Sequence, residues 1–235
     1  MCHAGDKLLR VYDSAQKVLN KIELPETPAV GPIPTFMVQM KGGYSVQKIK
    51  LNPKDILLLY TDGIEENGRI IRNADYSAVM KPKVNEKGEQ LQDEYGNLLF
   101  EAEKEEFGEN RVKDICEAVL HGKKYILTKV KNPSLGENLE FDFTKCKGTT
   151  QELILALTSL EKVFRFYKPK TVTEKDLVEV DVAIDGFLKE HFNLYEEYCN
   201  ISQVKSKNPN YIYYQNLKED VQEDDLTMLA VLRPE

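Results

Sequence analysis

Hydrophobic and polar positions divide the chain into short strand-like runs and two longer helical stretches. The densest apolar run is Ile56-Leu57-Leu58-Leu59-Tyr60, entered through Asn52-Pro53-Lys54-Asp55 and stopped by Thr61-Asp62-Gly63. A short apolar run bounded by Pro and Gly predicts a strand buried on both faces. Upstream, residues 7–12 and 18–24 predict a hairpin, and residues 36–40 and 44–51 a second strand pair around Gly42-Gly43. Pro28, Gly31, Pro32 and Pro34 mark a loop between them. The first quarter thus reads as an antiparallel meander.

After the dense run the pattern turns polar. Two similar turns, Asn85-Glu86-Lys87-Gly88 and Asp93-Glu94-Tyr95-Gly96, predict hairpins standing off the core, polar enough to be partly disordered. Val112, Ile115, Cys116 and Val119 recur at helical spacing, which predicts a helix over 109–120. Leu153, Leu157, Leu160 and Phe164 predict a helix over 149–166, capped by Thr149 or Thr150 with Glu152 close behind. Leu177, Val180, Ile184, Phe187, Leu188 and Phe192 predict a second long helix over 173–199, opened by the box-like Thr173-Glu174-Lys175-Asp176. Residues 125–130 predict a strand or an extension of the preceding helix. Strands are also predicted at 139–143 and 211–214, with a buried final strand at 226–232.

Composition narrows the class. The chain has 235 residues, 41% hydrophobic and 30% charged, which suits one soluble globular domain spanning 1–235 with insertions near 67–108 and 129–216. The net charge of −7 argues against nucleic acid as a partner. Cys2, Cys116, Cys146 and Cys199 form no C-x-x-C pair, and His3, His121 and His191 are scattered. A Cys/His zinc site is not expected, and the thiols read as reduced in a cytoplasmic protein. No apolar run approaches the ~20 residues of a membrane span.

The chemistry-bearing pattern is a pair of acidic turns set against apolar strands. Thr61-Asp62-Gly63 ends one strand and Asp224-Asp225-Leu226-Thr227 begins another, 162 positions later. If the two strands are antiparallel neighbours, both turns fall at the same rim of the sheet. Carboxylates brought that close repel unless a cation neutralises them, and Mg²⁺ or Mn²⁺ suits all-oxygen ligands. The plain alternative is a strand followed by an Asx turn at Asp62.

The string L-x-P-x-D-hLLLYTDGI-x-E, followed at the end by D-D-h-T, resembles the PPM family of metal-dependent protein serine/threonine phosphatases, in its bacterial SpoIIE-like branch. Ala4-Gly5-Asp6 resembles the family's A-G-H or A-G-D turn, and residues 24–34 the loop before the next strand pair. The resemblance implies an α+β fold, an antiparallel β-sandwich flanked by helices, present here in part, with helical and hairpin insertions. It implies that Asp62 and Asp224 are metal ligands, that Asp225 supports its turn, and that Thr61, Gly63 and Thr227 shape the loops. It implies two Mn²⁺ or Mg²⁺ ions in the intact domain. It also implies a phosphorylated protein substrate, such as an anti-sigma-factor antagonist, and an upstream sensory domain through which the parent could be anchored to a membrane.

The family's first metal motifs, an early Asp and a D-x-x-G-H-G turn, have no match here. The expectation is a C-terminal portion of the domain with an incomplete site and little activity alone. An exposed sheet edge would then favour a homodimer. Two other readings stand beside it. One is a non-catalytic regulatory or binding module derived from a phosphatase. The other, a haloacid-dehalogenase-type phosphatase, meets Tyr60 where its nucleophilic carboxylate belongs.

Overall fold

The structure, a computed structural model, describes residues 7–23, 34–40, 42–43, 48–128, 138–171, 173, 177–201, 208–222 and 224–235. It mixes antiparallel sheets with several helices, an α+β arrangement. The Ala4-Gly5-Asp6 turn, residues 24–33 of the Pro-rich loop, residues 44–47 of the second strand pair and most of Thr173-Glu174-Lys175-Asp176 lie outside the described residues.

The central sheet forms first in the chain and closes last. Strands β1 (Lys7–Asp13) and β2 (Val18–Lys21) make the expected hairpin. Residues 36–40, predicted as one strand of the pair around Gly42-Gly43, differ: Thr35–Met40 is a short helix, α1, beginning just after Pro34. Its Met37 N–H bonds to the Pro34 carbonyl at 2.9 Å, and Met37, Gln39 and Met40 are good helix formers. The dense apolar run is strand β3 (Ile56–Thr61), paired antiparallel with β1 from Tyr12↔Ile56 to Lys7↔Thr61. After the helical turn α2 (Gly63–Glu66) the chain enters strands β4 (Gly68–Ile70), β5 (Met80–Pro82), β6 (Phe100–Ala102) and β7 (Lys104–Glu106).

Helix α3 (Gly108–Leu120) buries Val112, Ile115, Cys116 and Val119, the stripe read from the sequence. It leads into the hairpin β8 (Lys124–Thr128) and β9 (Asn138–Asp142). Helix α4 (Thr150–Arg165) starts at a complete capping box. The Thr149 hydroxyl accepts from Glu152 N–H at 3.2 Å, and the Glu152 carboxylate accepts from Thr149 N–H at 2.8 Å. Strand β10 (Phe166–Tyr167) follows.

The predicted long helix over 173–199 is corrected. Residues Leu177–Asp181 form strand β11, and the helices are α5 (Val182–His191) and α6 (Tyr195–Tyr198). Val178 and Val180 turn inward with Glu179 outward, a period of two. The Asp181 carboxylate then caps α5 by accepting from Ala183 N–H at 2.7 Å. Strands β12 (Asn200–Ile201), β13 (Tyr211–Gln215) and β14 (Lys218–Glu219) complete two small sheets, β11-β13-β12 and β10-β14.

The last strand, β15 (Met228–Leu232), joins the central sheet beside β3, giving the order β15-β3-β1-β2. It is an edge strand rather than a buried one, with Leu229 53% and Val231 41% exposed. Likewise β3 buries Ile56, Leu58 and Tyr60 fully, while Leu57 and Leu59 on its other face are only half-buried. One face of the sheet therefore packs on the helices. Phe107, Ile115, Leu157, Leu160 and Phe164 belong to that core.

The hairpins over 71–103 are an ordered arm. Three turns close alike: Tyr76, Gly88 and Gly96 N–H bond to the Asn73, Asn85 and Asp93 carbonyls at 2.9, 2.9 and 3.1 Å. Tyr76, Gly88 and Gly96 all adopt positive φ, at 71°, 80° and 84°. The strands between them meet in two closed triangles of hydrogen bonds. In one, Ile71 donates to Glu103, Glu103 to Val79 and Val79 to Ile71, at 2.8–2.9 Å. In the other, Lys83 donates to Leu99, Leu99 to Leu91 and Leu91 to Lys83, at 2.8–2.9 Å. Met80, Val84, Tyr95, Leu98, Leu99 and Phe100 stay exposed along the arm.

The arm is anchored at its root. Arg69 donates to Glu105 at 2.7 Å, and Arg111 is ion-paired to the same carboxylate. Both guanidinium groups stack on Phe164, at 4.9 and 4.8 Å. Asp220 accepts from Ile70 N–H at 2.9 Å and is ion-paired with Arg72.

Candidate functional site at the acidic rim

The β15–β3 pairing brings the two acidic turns together. Met228 lies opposite Tyr60, so the residues just before β15 and just after β3 share one rim of the sheet. One backbone bond and the two contacts of one hydroxyl stitch them. Thr61 N–H donates to the Thr227 carbonyl at 3.1 Å. The Thr61 hydroxyl donates to the Asp225 carbonyl at 2.9 Å and accepts from Thr227 N–H at 3.2 Å.

Gly63 is required by close approach. A Cβ built there would lie 2.6 Å from the Asp225 carbonyl oxygen and 3.4 Å from the Asp224 Cβ. The backbone carbonyl cannot swing aside as a side chain could. Sequence reading placed Gly63 as a loop-shaping residue; the structure supplies the physical reason.

At Asp62 the backbone turns helical, with φ −54° and ψ −28°, and its carbonyl accepts from Glu65 and Glu66 N–H at 2.8 and 3.0 Å. The half-buried Asp62 carboxylate makes no cap bond, so the Asx-turn alternative does not describe it. Asp224 is exposed, and its Oδ1 accepts from Asp225 N–H at 2.7 Å. Gln222 Nε2 donates to the Asp224 carbonyl at 2.9 Å, which steadies the turn. Asp225 contributes its backbone to the rim, in keeping with a supporting place.

Behind the rim lies a network that sequence reading missed. The buried Arg10 donates from Nε to the Tyr60 hydroxyl at 2.7 Å and from Nη2 to Glu109 at 2.9 Å. The Tyr60 hydroxyl donates to Glu65 at 2.6 Å. Burial, then the Glu65 bond, push the Tyr60 hydroxyl well above the ordinary phenol range. Glu65 is thereby held inward, its side chain 15% exposed. An Arg inside the apolar strand Leu9-Arg10-Val11 and a Tyr ending the dense run were the available signals. The partners of Arg10 lie 50 and 99 positions away, beyond any local pattern. Tyr60 occupies the position a dehalogenase-type nucleophile would need, and it is a buried structural phenol.

Among the described residues, no group of three or more His, Cys, Asp or Glu side chains is placed to hold a metal ion. No described helix is long and apolar enough to cross a membrane. Compared with known proteins, the chain matches no family model, no curated protein and no solved structure.

Proposed function

We propose that the chain carries part of the metal site of a PPM-type, metal-dependent protein serine/threonine phosphatase of the SpoIIE-like branch. The observation behind this reading is the meeting of Asp62 and Asp224 at one rim of the sheet, 162 positions apart in the chain. The outer face of the sheet supports it further. Leu57, Leu59, Leu229 and Val231 share that face by register, and a second antiparallel sheet laid on it would bury them as in a sandwich.

Asp62 and Asp224 offer hard oxygen donors suited to Mn²⁺ or Mg²⁺. They fit part of a coordination shell, since the described residues add no third ligand. Bound metal ions supply an activated water for attack on a phosphoserine or phosphothreonine. The chain's own residues do the positioning. Thr61 ties the two turns together, Gly63 lets them close, and Asp62 presents a carboxylate free of a cap bond. The parent enzyme would act on a phosphorylated protein in bacterial signalling, such as an anti-sigma-factor antagonist, under an upstream sensory domain.

Calorimetric titration with Mn²⁺ tests the reading. Expected is weak binding, with a dissociation constant of about 10⁻³ M, abolished in Asp62→Asn and in Asp224→Asn. Turnover of p-nitrophenyl phosphate by this chain should stay near background. Mn²⁺ uptake that neither variant changes would overturn the assignment. It would favour a non-catalytic platform derived from a phosphatase, a reading that the short ligand set and the exposed arm also suit.

A further inference from the structure

A second candidate site lies at the opposite end of the central sheet. Along β3 the acidic rim follows Thr61, whereas Tyr12 pairs with Ile56 at the other end, five residues and roughly 17 Å away. Beside Tyr12 is an open cleft of about 670 Å³, a volume in the range of small-molecule sites. It forms where the turn after α3 (His121, Gly122, Lys123) meets the loop after β9 (Thr144, Cys146, Lys147) and Lys17 of the first hairpin.

Its charge is one-sided. Lys17, Lys123 and Lys147 line the cleft and no carboxylate does. None of the three ammonium groups is ion-paired among the described residues. Glu117 and Glu190 lie near enough to act on Tyr12 and Cys146, and three further acids are committed to their own loops. Asp13 accepts from Ala15 and Gln16 N–H, both at 2.9 Å. Asp142 accepts from the Thr144 N–H and hydroxyl at 2.9 and 2.6 Å. Glu152 accepts from Lys147 and Thr149 N–H at 3.0 and 2.8 Å. Of the last carbonyls of α3, which would repel an anion, Glu117, Ala118 and Val119 accept from His121, Lys123 and Gly122 N–H at 3.0, 2.8 and 3.3 Å.

One wall of the cleft is apolar and aromatic, and the rest is polar. The Tyr12 and His121 rings stand 6.0 Å apart, Leu120 flanks them, and the His121 Nε2 is buried with no hydrogen-bond partner. Burial, then the charges of Glu152, Glu190 and Asp142, push the Cys146 thiol up to about 11, so it is not a nucleophile near neutral pH. The cleft is equipped to bind rather than to react.

We propose that this cleft binds a small organic polyphosphate, its phosphates held by Lys17, Lys123 and Lys147 and its organic part lying against Tyr12 and Leu120. Three unpaired cations in a chain of net charge −7 make a local anion site, and the apolar wall asks for more than an inorganic ion. The site is independent of the phosphatase reading.

Calorimetry in EDTA, which removes any metal contribution at the acidic rim, tests it with ATP, pyrophosphate and adenosine. Expected are binding of ATP, weaker binding of pyrophosphate and none of adenosine. Lys123→Glu with Lys147→Glu should weaken ATP by tenfold or more, while Lys83→Glu on the arm and Asp62→Asn leave it unchanged. These lysines are exposed, so the variants should fold, as circular dichroism will report. No ATP binding at 5 mM by folded chain, on the order of the weakest useful affinities, overturns the proposal. So does an equal loss in Lys83→Glu, which would mark diffuse charge attraction only.

Discussion

Replacing Arg165 by Met should cost the fold about 3–5 kcal/mol, among the largest losses expected from any single side chain here. Arg165 and Glu161 are both only 3% exposed, one turn apart at the end of α4. The guanidinium donates to Glu161 at 2.5 Å, to the Asp220 carbonyl at 2.8 Å and to Glu219 at 2.6 Å. Met fills similar space but leaves the Glu161 carboxylate buried without its cation. That uncompensated charge, more than the lost attraction, sets the size of the effect. Urea denaturation followed by far-UV circular dichroism measures it. Adding Glu161→Leu to the same chain should recover part of the loss, because the stranded charge is gone. A single-variant loss below about 1 kcal/mol would mean that water reaches Glu161.

Gly63→Ala should cost about 1–3 kcal/mol and also disorganise the acidic rim. The added methyl would sit 2.6 Å from the Asp225 carbonyl oxygen, so the turn before β15 must retreat from β3. Retreat breaks both contacts of the Thr61 hydroxyl, with Asp225 and with Thr227. Stability from urea curves and Mn²⁺ affinity should therefore fall together. Alanine tolerated with neither changed would show that the two turns do not meet as described. Thr61→Val, which removes the hydroxyl and keeps the shape, should give a smaller loss of about 1 kcal/mol in the same curves.

Much of this was legible in the chain. β3 was plain because an unbroken apolar run sits between a Pro turn and a Gly. α4 was plain because its 3.6-residue stripe and its Thr149/Glu152 cap agree. The misreadings have physical causes. Residues 177–181 carry Val178 and Val180 at a spacing of two, yet Leu177, Val180, Ile184 and Phe187 also fit a helical stripe, and the longer pattern masks the shorter. Asp181 was the overlooked boundary, since its carboxylate caps α5. Residues 36–40 mix β-forming Phe36 and Val38 with helix-forming Met37, Gln39 and Met40, and the turn after Pro34 decides them as α1. β15 is as apolar as a buried strand, and only the sheet order makes it an edge.

The candidate site shows the same division. Asp62 and Asp224 stood out as acids beside apolar strands, and their meeting depended on one condition, antiparallel neighbours. The register Met228↔Tyr60 meets that condition. The Arg10–Tyr60–Glu65 network was not legible, because it depends on which strands lie side by side. The basic cleft was illegible for the same reason: Lys17, Lys123 and Lys147 come from three separate loops.

The arm has no interior. Its triangles close through backbone groups while its apolar side chains face water, Tyr95 at 81% exposure. Opening it therefore gives up hydrogen bonds that solvent can replace and almost no buried surface. Amide exchange should sort the molecule into two classes, fast at Leu91 and Leu99 and slow at Leu58. A protease should nick the arm near Gly88 or Gly96 first and leave the helical body whole. Root and tip thus belong to different tiers of local stability, joined through Arg69, Glu105 and Arg111.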